Sequence, residues 1–393
     1  MALPTAVTTL HRRVYVQDVP FVRCRVQRRP LRYTVKQKSN MRLMRGNTVV
    51  GEAAIQAGCT CYFGYPITPQ NQLPEYMSRR LSEVEGGVFI QSESEISAIN
   101  MVFGASVSGA RVMTSSSSPG ISLKQEGISF LCGCELPALI VNMVRGGPGL
   151  GNISPAQSDY FQATRGGGHG DYRVTVLAPA SCQELADLTM EAFDIADIYR
   201  NPVLILADGM LGQIMEPVTF ENYKPRKIPK KDYILDGAKG RPSRVIKSLI
   251  LNTKDMEEHN WKLVRKYQMI AKKETRYEEY MMDDAKLAVI AYGTAARIAK
   301  GAVKRVRDDG LSVGLIRPIT LWPFPCDIIK KRAQSIEQFF VFEMSAGQMV
   351  EDVKLSLDGA SEVYFYGRPG GVVPTPIELT RIISRQYYQK GFM

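Results

Sequence analysis

The sequence lacks the features that would assign it at once to several protein classes. It has no uninterrupted run of about 18 apolar residues, so we expect no membrane-spanning helix. Its three histidines stand in unrelated contexts, and no Ser–His–Asp arrangement can be argued from them. Its seven cysteines include no C-x-x-C pair, which disfavours a metal site. The cysteines are instead interpreted as reduced core thiols of a cytoplasmic protein.

Acidic residues are nearly absent from the first 45 residues, and this segment accounts for most of the net charge of +11. It holds eleven Lys or Arg residues and one acid, Asp18, without a helical or strand period. Because nucleic-acid binding requires basic residues along a folded face, we expect no nucleic-acid partner. Residues 1–40 are predicted to be a disordered basic extension, either targeting-like or the product of a mis-assigned start site. A native amino terminus near Met1, found by mass spectrometry, would contradict this.

What the sequence does contain is a regular alternation of helical and strand patterns over residues 41–222. This alternation predicts an α/β domain with a parallel sheet covered on both faces. The clearest helix is expected over 181–199, where Ser181 and Glu184 have the spacing of a capping box. The other predicted helices lie near 48–57, 70–82, 95–109 and 120–132, and the predicted strands near 60–65, 87–92, 111–115, 137–144, 173–178 and 202–207.

The alternation stops after this first part and resumes later. Residues 223–284 are rich in charge and are predicted to form a linker followed by a connecting helix near 255–281. Residues 285–393 return to strand and helix patterns, which predicts a second α/β domain.

A stiff turn, Gly-Tyr-Pro-Ile-Thr-Pro, covers residues 64–69 and follows a predicted strand. Pro66 and Pro69 fix φ near −65°, remove two backbone donors and push the preceding residues toward extended geometry. The turn therefore presents one small hydroxyl, that of Thr68, at the carboxyl end of a strand. Ligands of parallel α/β sheets bind at that edge.

Polar side chains follow three further strands in the same way. Glu95 begins a helix, where the helix dipole favours a carboxylate, although a plain helix-terminal acid gives the same pattern. A serine run over 115–118 either caps the next helix or cradles an anion. Arg145 precedes a glycine-rich loop and either stabilises the loop or holds a carboxylate bidentately. Because all of them follow successive parallel strands, we expect them, with Thr68, on one edge of one sheet.

A second glycine-rich loop covers residues 165–171 and carries His169 and Asp171. These side chains have the chemistry for proton transfer, but a loop pair satisfied by backbone is equally consistent with the pattern. The sequence leaves their roles open.

From about Met41 to the end, the sequence resembles the alpha subunit of 2-oxoacid:ferredoxin oxidoreductases, and within that family the 3-methyl-2-oxobutanoate (2-ketoisovalerate) type. The resemblance rests on long collinear stretches: GYPITPQ, QSESEISAINMVFGASVSGARVMTSSSSPGISLKQEG, VNMVRGGPGLG, YFQATRGGGHGDYR and NPVLILADGMLGQ. It implies a pyrimidine-type thiamine diphosphate-binding domain followed by a transketolase carboxy-terminal-like α/β domain.

The resemblance also implies roles for single residues. Glu95 matches the glutamate that contacts the aminopyrimidine ring of thiamine diphosphate and promotes removal of the thiazolium proton. Thr68 and Arg145 match residues beside the carbonyl and carboxylate of the substrate, and the glycine-rich loops fit as walls of that pocket. The expected cofactor contacts are Pro66, Ile67, Glu95 and Ser117.

The chain differs from complete thiamine diphosphate enzymes because it lacks a motif that usually holds the diphosphate. The chain has no Gly-Asp-Gly motif, so the resemblance implies that a partner holds the diphosphate and Mg²⁺ through oxygen ligands. It also lacks the cysteine spacing for iron–sulfur clusters, so electrons must leave through a partner. The implied partners are a thiamine diphosphate-binding beta subunit, a gamma subunit, a ferredoxin-like iron–sulfur subunit, ferredoxin and CoA.

The implied reaction converts a branched-chain 2-oxoacid, CoA and oxidised ferredoxin to acyl-CoA, CO2 and reduced ferredoxin. Three alternatives are weighed at this stage. One is the same chemistry on 2-oxoglutarate or pyruvate, and another is a catalytically silent scaffold. The third is a nucleic-acid-binding protein led by the basic first segment, which the nearly neutral remainder of the chain disfavours.

Overall fold

The structure is a computed structural model that describes residues 41–389 and 391, so the expected extension over residues 1–40 lies outside the described residues. The strands are β1 Arg42–Arg45, β2 Cys61–Gly64, β3 Val88–Gln91, β4 Val112–Ser116, β5 Leu139–Val144, β6 Thr175–Leu177, β7 Val203–Asp208, β8 Met215–Val218, β9 Tyr277–Tyr280, β10 Leu287–Ile290, β11 Val313–Pro318, β12 Thr320–Trp322, β13 Gln338–Glu343 and β14 Glu362–Gly367. The helices are α1 Gly46–Gln56, α2 Gln72–Leu81, α3 Glu95–Val107, α4 Ser118–Gly133, α5 Tyr160–Arg165, α6 Cys182–Tyr199, α7 Gly209–Gln213, α8 Thr253–Glu274, α9 Gly293–Asp308, α10 Cys326–Arg332, α11 Met349–Leu357 and α12 Pro376–Gln389. Among these described helices, none has the length and apolar character needed to cross a membrane.

The larger sheet has seven strands in the order β12-β6-β7-β5-β4-β2-β3. All neighbours pair in parallel except β12, which is antiparallel to β6. Helices α1, α2 and α6 cover one face with a buried apolar cluster, while α3 and α4 cover the other. The predicted parallel α/β sheet is therefore confirmed, and the carboxyl ends of β5, β4, β2 and β3 lie side by side on one edge.

Helix α6 shows how the local sequence sets these elements. The Ser181 hydroxyl accepts a hydrogen bond from the Glu184 amide at 3.2 Å, and the Glu184 carboxylate accepts one from the Ala180 amide at 2.8 Å. These contacts satisfy amides at the helix start that have no partner within the helix. The helix ends at Arg200, whose φ of +50° is left-handed. The predicted helix over 181–199 is confirmed.

The connecting helix is shorter than predicted, because α8 ends at Glu274 and residues 277–280 form strand β9. This strand pairs antiparallel with β11 in the smaller sheet, whose order is β14-β13-β10-β11-β9. Glu278 on β9 accepts hydrogen bonds from Lys300 at 2.7 Å and Arg317 at 2.8 Å. The prediction of helix up to residue 281 was wrong. The contacts that favour the strand come from residues far away in the sequence, so the local pattern does not contain them.

The two sheets are tied together at several points. Strand β12, which follows the smaller sheet's β11, joins the edge of the larger sheet beside β6. The Gln157 side chain donates to the Tyr292 carbonyl and accepts from the Met344 amide, both at 2.9 Å. The Arg317 guanidinium donates one hydrogen bond to each carboxylate oxygen of Glu184, at 2.7 and 2.8 Å. The larger sheet is thus held by polar contacts from the second part of the chain.

Candidate active site

The turn after β2 is held in place by amide side chains from two helices. The Pro69 carbonyl accepts hydrogen bonds from Asn47 on α1 at 2.9 Å and from Gln213 on α7 at 2.7 Å. The Thr68 hydroxyl is half-buried and accepts only a long, 3.4 Å contact from Asn71 among the hydrogen bonds of the described residues. It therefore retains its donor for a ligand. Pro66 is exposed on the outer side of the same turn.

Glu95 lies at the first position of α3, directly after β3, and only 6% of its surface is exposed. Its Oε1 accepts a hydrogen bond from the Ser116 hydroxyl at 3.4 Å. Ser94 caps the helix by accepting from the Ser97 amide at 3.3 Å. The carboxyl thus lies at the amino terminus of a helix, where the helix dipole is positive.

Gly120 leaves the space that Glu95 occupies. A Cβ built at Gly120 would lie 2.4 Å from Glu95 Oε1 and 2.0 Å from the Ser116 Oγ, both far inside van der Waals contact. The first turn of α4 therefore packs directly against the carboxylate. Any side chain larger than hydrogen at this position would displace it.

The serine run connects the strand ends with one another. The Ser115 hydroxyl shares a 2.6 Å hydrogen bond with the buried Tyr62 hydroxyl and donates to Gln70 at 2.6 Å. Ser116 in turn donates to Glu95. The end of β4 is thus bonded to β2, to the turn after it and to the helix after β3.

The next two serines lie at the start of α4. Ser118 Oγ accepts from the Arg145 amide at 3.1 Å and its backbone amide donates to Asn142 at 3.1 Å, which joins α4 to the end of β5. Ser117 is fully buried, and its hydroxyl has no hydrogen-bond partner among the described residues. A buried hydroxyl without a partner is costly unless a ligand or water completes it.

Arg145 joins the first glycine-rich loop to the turn. Its Nη1 donates to the Thr68 carbonyl and its Nη2 to the Leu150 carbonyl, each at 3.0 Å, and only 8% of the residue is exposed. The sequence left open whether Arg145 stabilises the loop or holds a carboxylate. The structure shows the loop contacts directly, with three of the five guanidinium N–H groups left over. Thr68 and Arg145 therefore belong to one hydrogen-bonded network with Ser118, whereas Glu95 is bonded to Ser116 at the neighbouring strand end.

The second glycine-rich loop is not joined to this network by any hydrogen bond found among the described residues. Its Gly167 amide donates to Gln125 in the middle of α4 at 3.0 Å. His169 and Asp171 are exposed there, and Asp171 borders a cavity of about 930 Å³ against α8, whose lining includes Trp261. The structure does not bring these two side chains together with Glu95.

Sequence reasoning missed Lys124, which lies on α4 one turn beyond Gly120. The residue is fully buried, and its ammonium has no hydrogen-bond partner within the described part of the chain. The signal that points to it is its spacing of four residues from Gly120, because residues four apart share a helix face.

The residues present fit one half of thiamine diphosphate and not the other. Glu95 supplies a carboxyl at the end of the sheet, Gly120 makes room for it, and the buried Ser117 hydroxyl has no partner among the described residues. For the diphosphate and its Mg²⁺, no group of three or more His, Cys, Asp or Glu side chains that could hold a metal ion occurs within residues 41–389.

Known proteins match nearly all of the described chain. The family described as pyruvate flavodoxin/ferredoxin oxidoreductase, thiamine diphosphate-binding, matches residues 52–283. The core domain II of pyruvate:ferredoxin oxidoreductase matches residues 285–379. Ketoisovalerate oxidoreductase subunit VorB of Methanothermobacter marburgensis is 50% identical over 343 residues, which cover 87% of this chain and 96% of that protein. The 2-oxoglutarate synthase subunit KorA of Methanocaldococcus jannaschii is 38% identical and covers 86% and 98%.

Solved structures agree with this assignment. The 2-oxoglutarate:ferredoxin oxidoreductase of Magnetococcus marinus, solved with 2-oxoglutarate, coenzyme A and succinyl-CoA, has a TM-score of 0.79 and 25% identity. The match covers 88% of this chain and 65% of that longer chain. A split-gene transketolase, at 13% identity and a TM-score of 0.55, shares the fold alone. The chain belongs to the 2-oxoacid:ferredoxin oxidoreductase family, as a subunit of the alpha type that carries the thiamine diphosphate-binding domain.

Proposed function

We propose that this chain is half of an active site that oxidatively decarboxylates a branched-chain 2-oxoacid, with CoA and ferredoxin as co-reactants. The products are acyl-CoA, CO2 and reduced ferredoxin. The observation that carries the proposal is the nearly buried Glu95 carboxyl, which bonds Ser116 at the end of β4. The adjacent strand ends carry Thr68 and Arg145, which are bonded to each other. The 50% identity with a ketoisovalerate oxidoreductase subunit supports the branched-chain substrate.

Glu95 is the proton-handling residue of the proposal. Thiamine diphosphate, when bound, would supply a nucleophilic carbon for the 2-oxoacid and an electron sink for its decarboxylation. The Glu95 carboxylate accepts a hydrogen bond from a ring nitrogen of the aminopyrimidine and so shifts the ring's tautomer toward proton removal. The Ser116 hydroxyl fixes the carboxylate's orientation by donating to Oε1. Pro66, Ile67 and Ser117 are proposed to border the same ring.

Thr68 and Arg145 are proposed to orient the substrate. The Thr68 hydroxyl retains a free donor at the turn and is assigned to the 2-oxo oxygen. Arg145 fixes the backbone of that turn through the Thr68 carbonyl and has N–H groups left for the substrate carboxylate. Positioning of this kind lowers the entropy cost of bringing the substrate to the reacting carbon.

Partner subunits are proposed to complete the site. The sequence has no Gly-Asp-Gly motif, so a beta subunit is assigned the diphosphate and Mg²⁺. Iron–sulfur clusters are assigned to a ferredoxin-like subunit, and a gamma subunit completes the assembly. The subunit names of the relatives, VorB and KorA, support a multi-subunit enzyme.

The substrate assignment predicts a clear preference in turnover. The reconstituted complex should convert 3-methyl-2-oxobutanoate with a higher kcat/KM than 2-oxoglutarate by at least about tenfold, which corresponds to about 1.4 kcal/mol of transition-state discrimination. The measurement is CoA-dependent reduction of ferredoxin with each acid. A preference for 2-oxoglutarate or pyruvate would instead favour the alternative function, the same chemistry on one of those acids. The 38% identity with a 2-oxoglutarate synthase subunit supports this alternative.

Arg145→Lys is expected to raise KM for the 2-oxoacid more than it lowers kcat. A lysine ammonium cannot span the Thr68 and Leu150 carbonyls in the planar geometry of the guanidinium, so the turn loses one of its fixed contacts. The expected rise in KM is about tenfold, or about 1.4 kcal/mol of binding energy. The exposed Arg79 is the matched control, and Arg79→Lys should leave KM unchanged. An unchanged KM in Arg145→Lys would remove Arg145 from the substrate pocket.

A further inference from the structure

Lys124 lies beside the proposed site, yet the proposed reaction gives it no role. Its exposure is 0%, and its Nζ has no hydrogen-bond partner among the described residues. Nor is an ion pair found for it within that part of the chain. Lysine is rarely buried without a partner, because transferring an ammonium out of water costs several kcal/mol. Its presence in this position therefore needs a physical explanation.

The geometry of α4 places Lys124 on the helix face that packs against α3, the helix that begins at Glu95. Gly120 and Gly127 lie on the face of α4 that packs against α3, since a Cβ at Gly120 would meet Glu95 and a Cβ at Gly127 would meet the Ile99 side chain at 2.5 Å. Lys124 lies between them on that face, four residues after one and three before the other. Helical side chains lean toward the amino terminus of their helix, so the Lys124 chain leads toward the first turn, where Glu95 lies.

The electrostatic surroundings of Lys124 contain one counter-charge. Burial lowers the pKa of Lys124 to about 8, and the Glu95 carboxylate is the group that opposes this by raising it. The other charged side chains near this end of the sheet are occupied or exposed: Arg145 bonds the loop carbonyls, Asp159 accepts from Asn142, and Glu93 and Glu126 face solvent. Glu95 is thus the counter-charge that acts on Lys124.

We propose that Lys124 is a positioning residue whose buried ammonium is the counter-charge of the Glu95 carboxylate and so holds that carboxylate for its proton-handling role. Glu95 is 6% exposed and Lys124 is not exposed, so the ammonium acts through the carboxylate rather than on a ligand. The role in catalysis rests on the proposed function, whereas the pairing itself does not. Two measurements on the full chain in its reconstituted complex separate these claims.

The first measurement tests the pairing without cofactor. Lys124→Met keeps the length of the side chain and removes its charge, and Glu95→Gln removes the opposite charge. At pH 7 we expect Lys124→Met to raise the melting temperature more in the Glu95→Gln background than in the wild type, because only there is the ammonium uncompensated. Since the pKa of Lys124 is about 8, this difference should fade as the pH rises above that value.

Lys266 supplies the matched control for this cycle. It is also nearly buried, and burial lowers its pKa to about 8, but its ammonium faces Glu135 and bonds the Arg200 carbonyl. Lys266→Met should therefore show no coupling with Glu95→Gln. If Lys124→Met fails to assemble, Lys124→Gln removes the same charge and retains polar contacts. Additive melting temperatures for Lys124 and Glu95 would overturn the pairing.

The second measurement tests the effect on the proton. Calorimetry in buffers of different ionisation enthalpy gives the protons taken up when thiamine diphosphate binds. In the wild type, this uptake has an onset at a measurable pH. In Lys124→Met that onset should move to higher pH, because a carboxyl that loses a nearby positive charge binds a proton more readily. A merely structural role would leave this pH unchanged, as Lys266→Met should.

The outcomes distinguish the two proposals. If the wild-type complex binds no thiamine diphosphate, the proposed function fails while the melting cycle still tests the pairing. If the cofactor binds but Lys124→Met leaves the onset of proton uptake where it is in the wild type, the positioning role of Lys124 is wrong and the proposed function stands.

Discussion

Glu95→Gln is expected to lower the turnover of the reconstituted complex by about 10²–10⁴-fold, the contribution that a positioned proton-transfer group typically makes. Glutamine has nearly the shape of glutamate and can still accept from Ser116 at the same oxygen. It cannot hold the proton of a ring nitrogen, because the amide is neutral and is not a base. Assembly of the complex should be retained, so the loss should appear in kcat.

Glu93→Gln is the matched control for this prediction. Glu93 precedes Glu95 by two residues and is exposed, and its side chain takes no part in the hydrogen bonds found among the described residues of the site. The same loss of one carboxylate there should leave turnover within about twofold, since exposed charges two residues from the chemistry contribute little. Normal turnover in Glu95→Gln would refute the proton role of Glu95 and favour the reading of the chain as a catalytically silent scaffold.

Gly120→Ala is expected to reduce turnover on the order of 10²-fold, because misplacing a reacting group by about 1 Å typically costs that much. The new Cβ would lie 2.4 Å from Glu95 Oε1 and 2.0 Å from the Ser116 Oγ. Both side chains must therefore move, and the carboxylate loses the geometry in which Ser116 holds it. The chain should still fold, since alanine suits a helix better than glycine.

Gly133→Ala on the same helix separates this effect from a general change in α4. A Cβ at Gly133 would meet only the Ser248 Cβ at 3.8 Å, an ordinary van der Waals contact. Its turnover should match the wild type in steady-state assays of CoA-dependent ferredoxin reduction. Equal activity of Gly120→Ala and Gly133→Ala would show that the carboxylate is not confined as the structure describes.

Much of the fold was predictable because its signals are local. The capping box and apolar stripe of α6 predict its start within one residue, and the buried strand at 137–144 is recognisable from its apolar run. Strand β9 was missed because Tyr277 and Tyr280 follow a charged helix without a strong break. The ion pairs of Glu278 with Lys300 and Arg317, which come from distant parts of the chain, favour the strand.

The sequence predicted which residues lie at the edge of the sheet, but it did not predict which of their side chains contact one another. Thr68, Glu95 and Arg145 could be placed on one edge because the carboxyl ends of parallel strands share it. The sequence did not show that Arg145 bonds the Thr68 carbonyl, nor that Gly120 makes room for Glu95. For Lys124 it offered only the four-residue spacing from Gly120, a weak signal because a lysine in a helix normally faces water.

By itself, the sequence determined the class of fold, the order of the strand ends and the residue types available at them. Those properties depend on periodicity, turn residues and caps, which act over a few positions along the chain. The tertiary structure decided which of these residues meet. The packing of α4 against α3 at Gly120 and Gly127 confines the Glu95 carboxylate and buries Lys124 on the same helix face. The energy of this packing depends on contacts between two helices, so no single local segment of the sequence contains it.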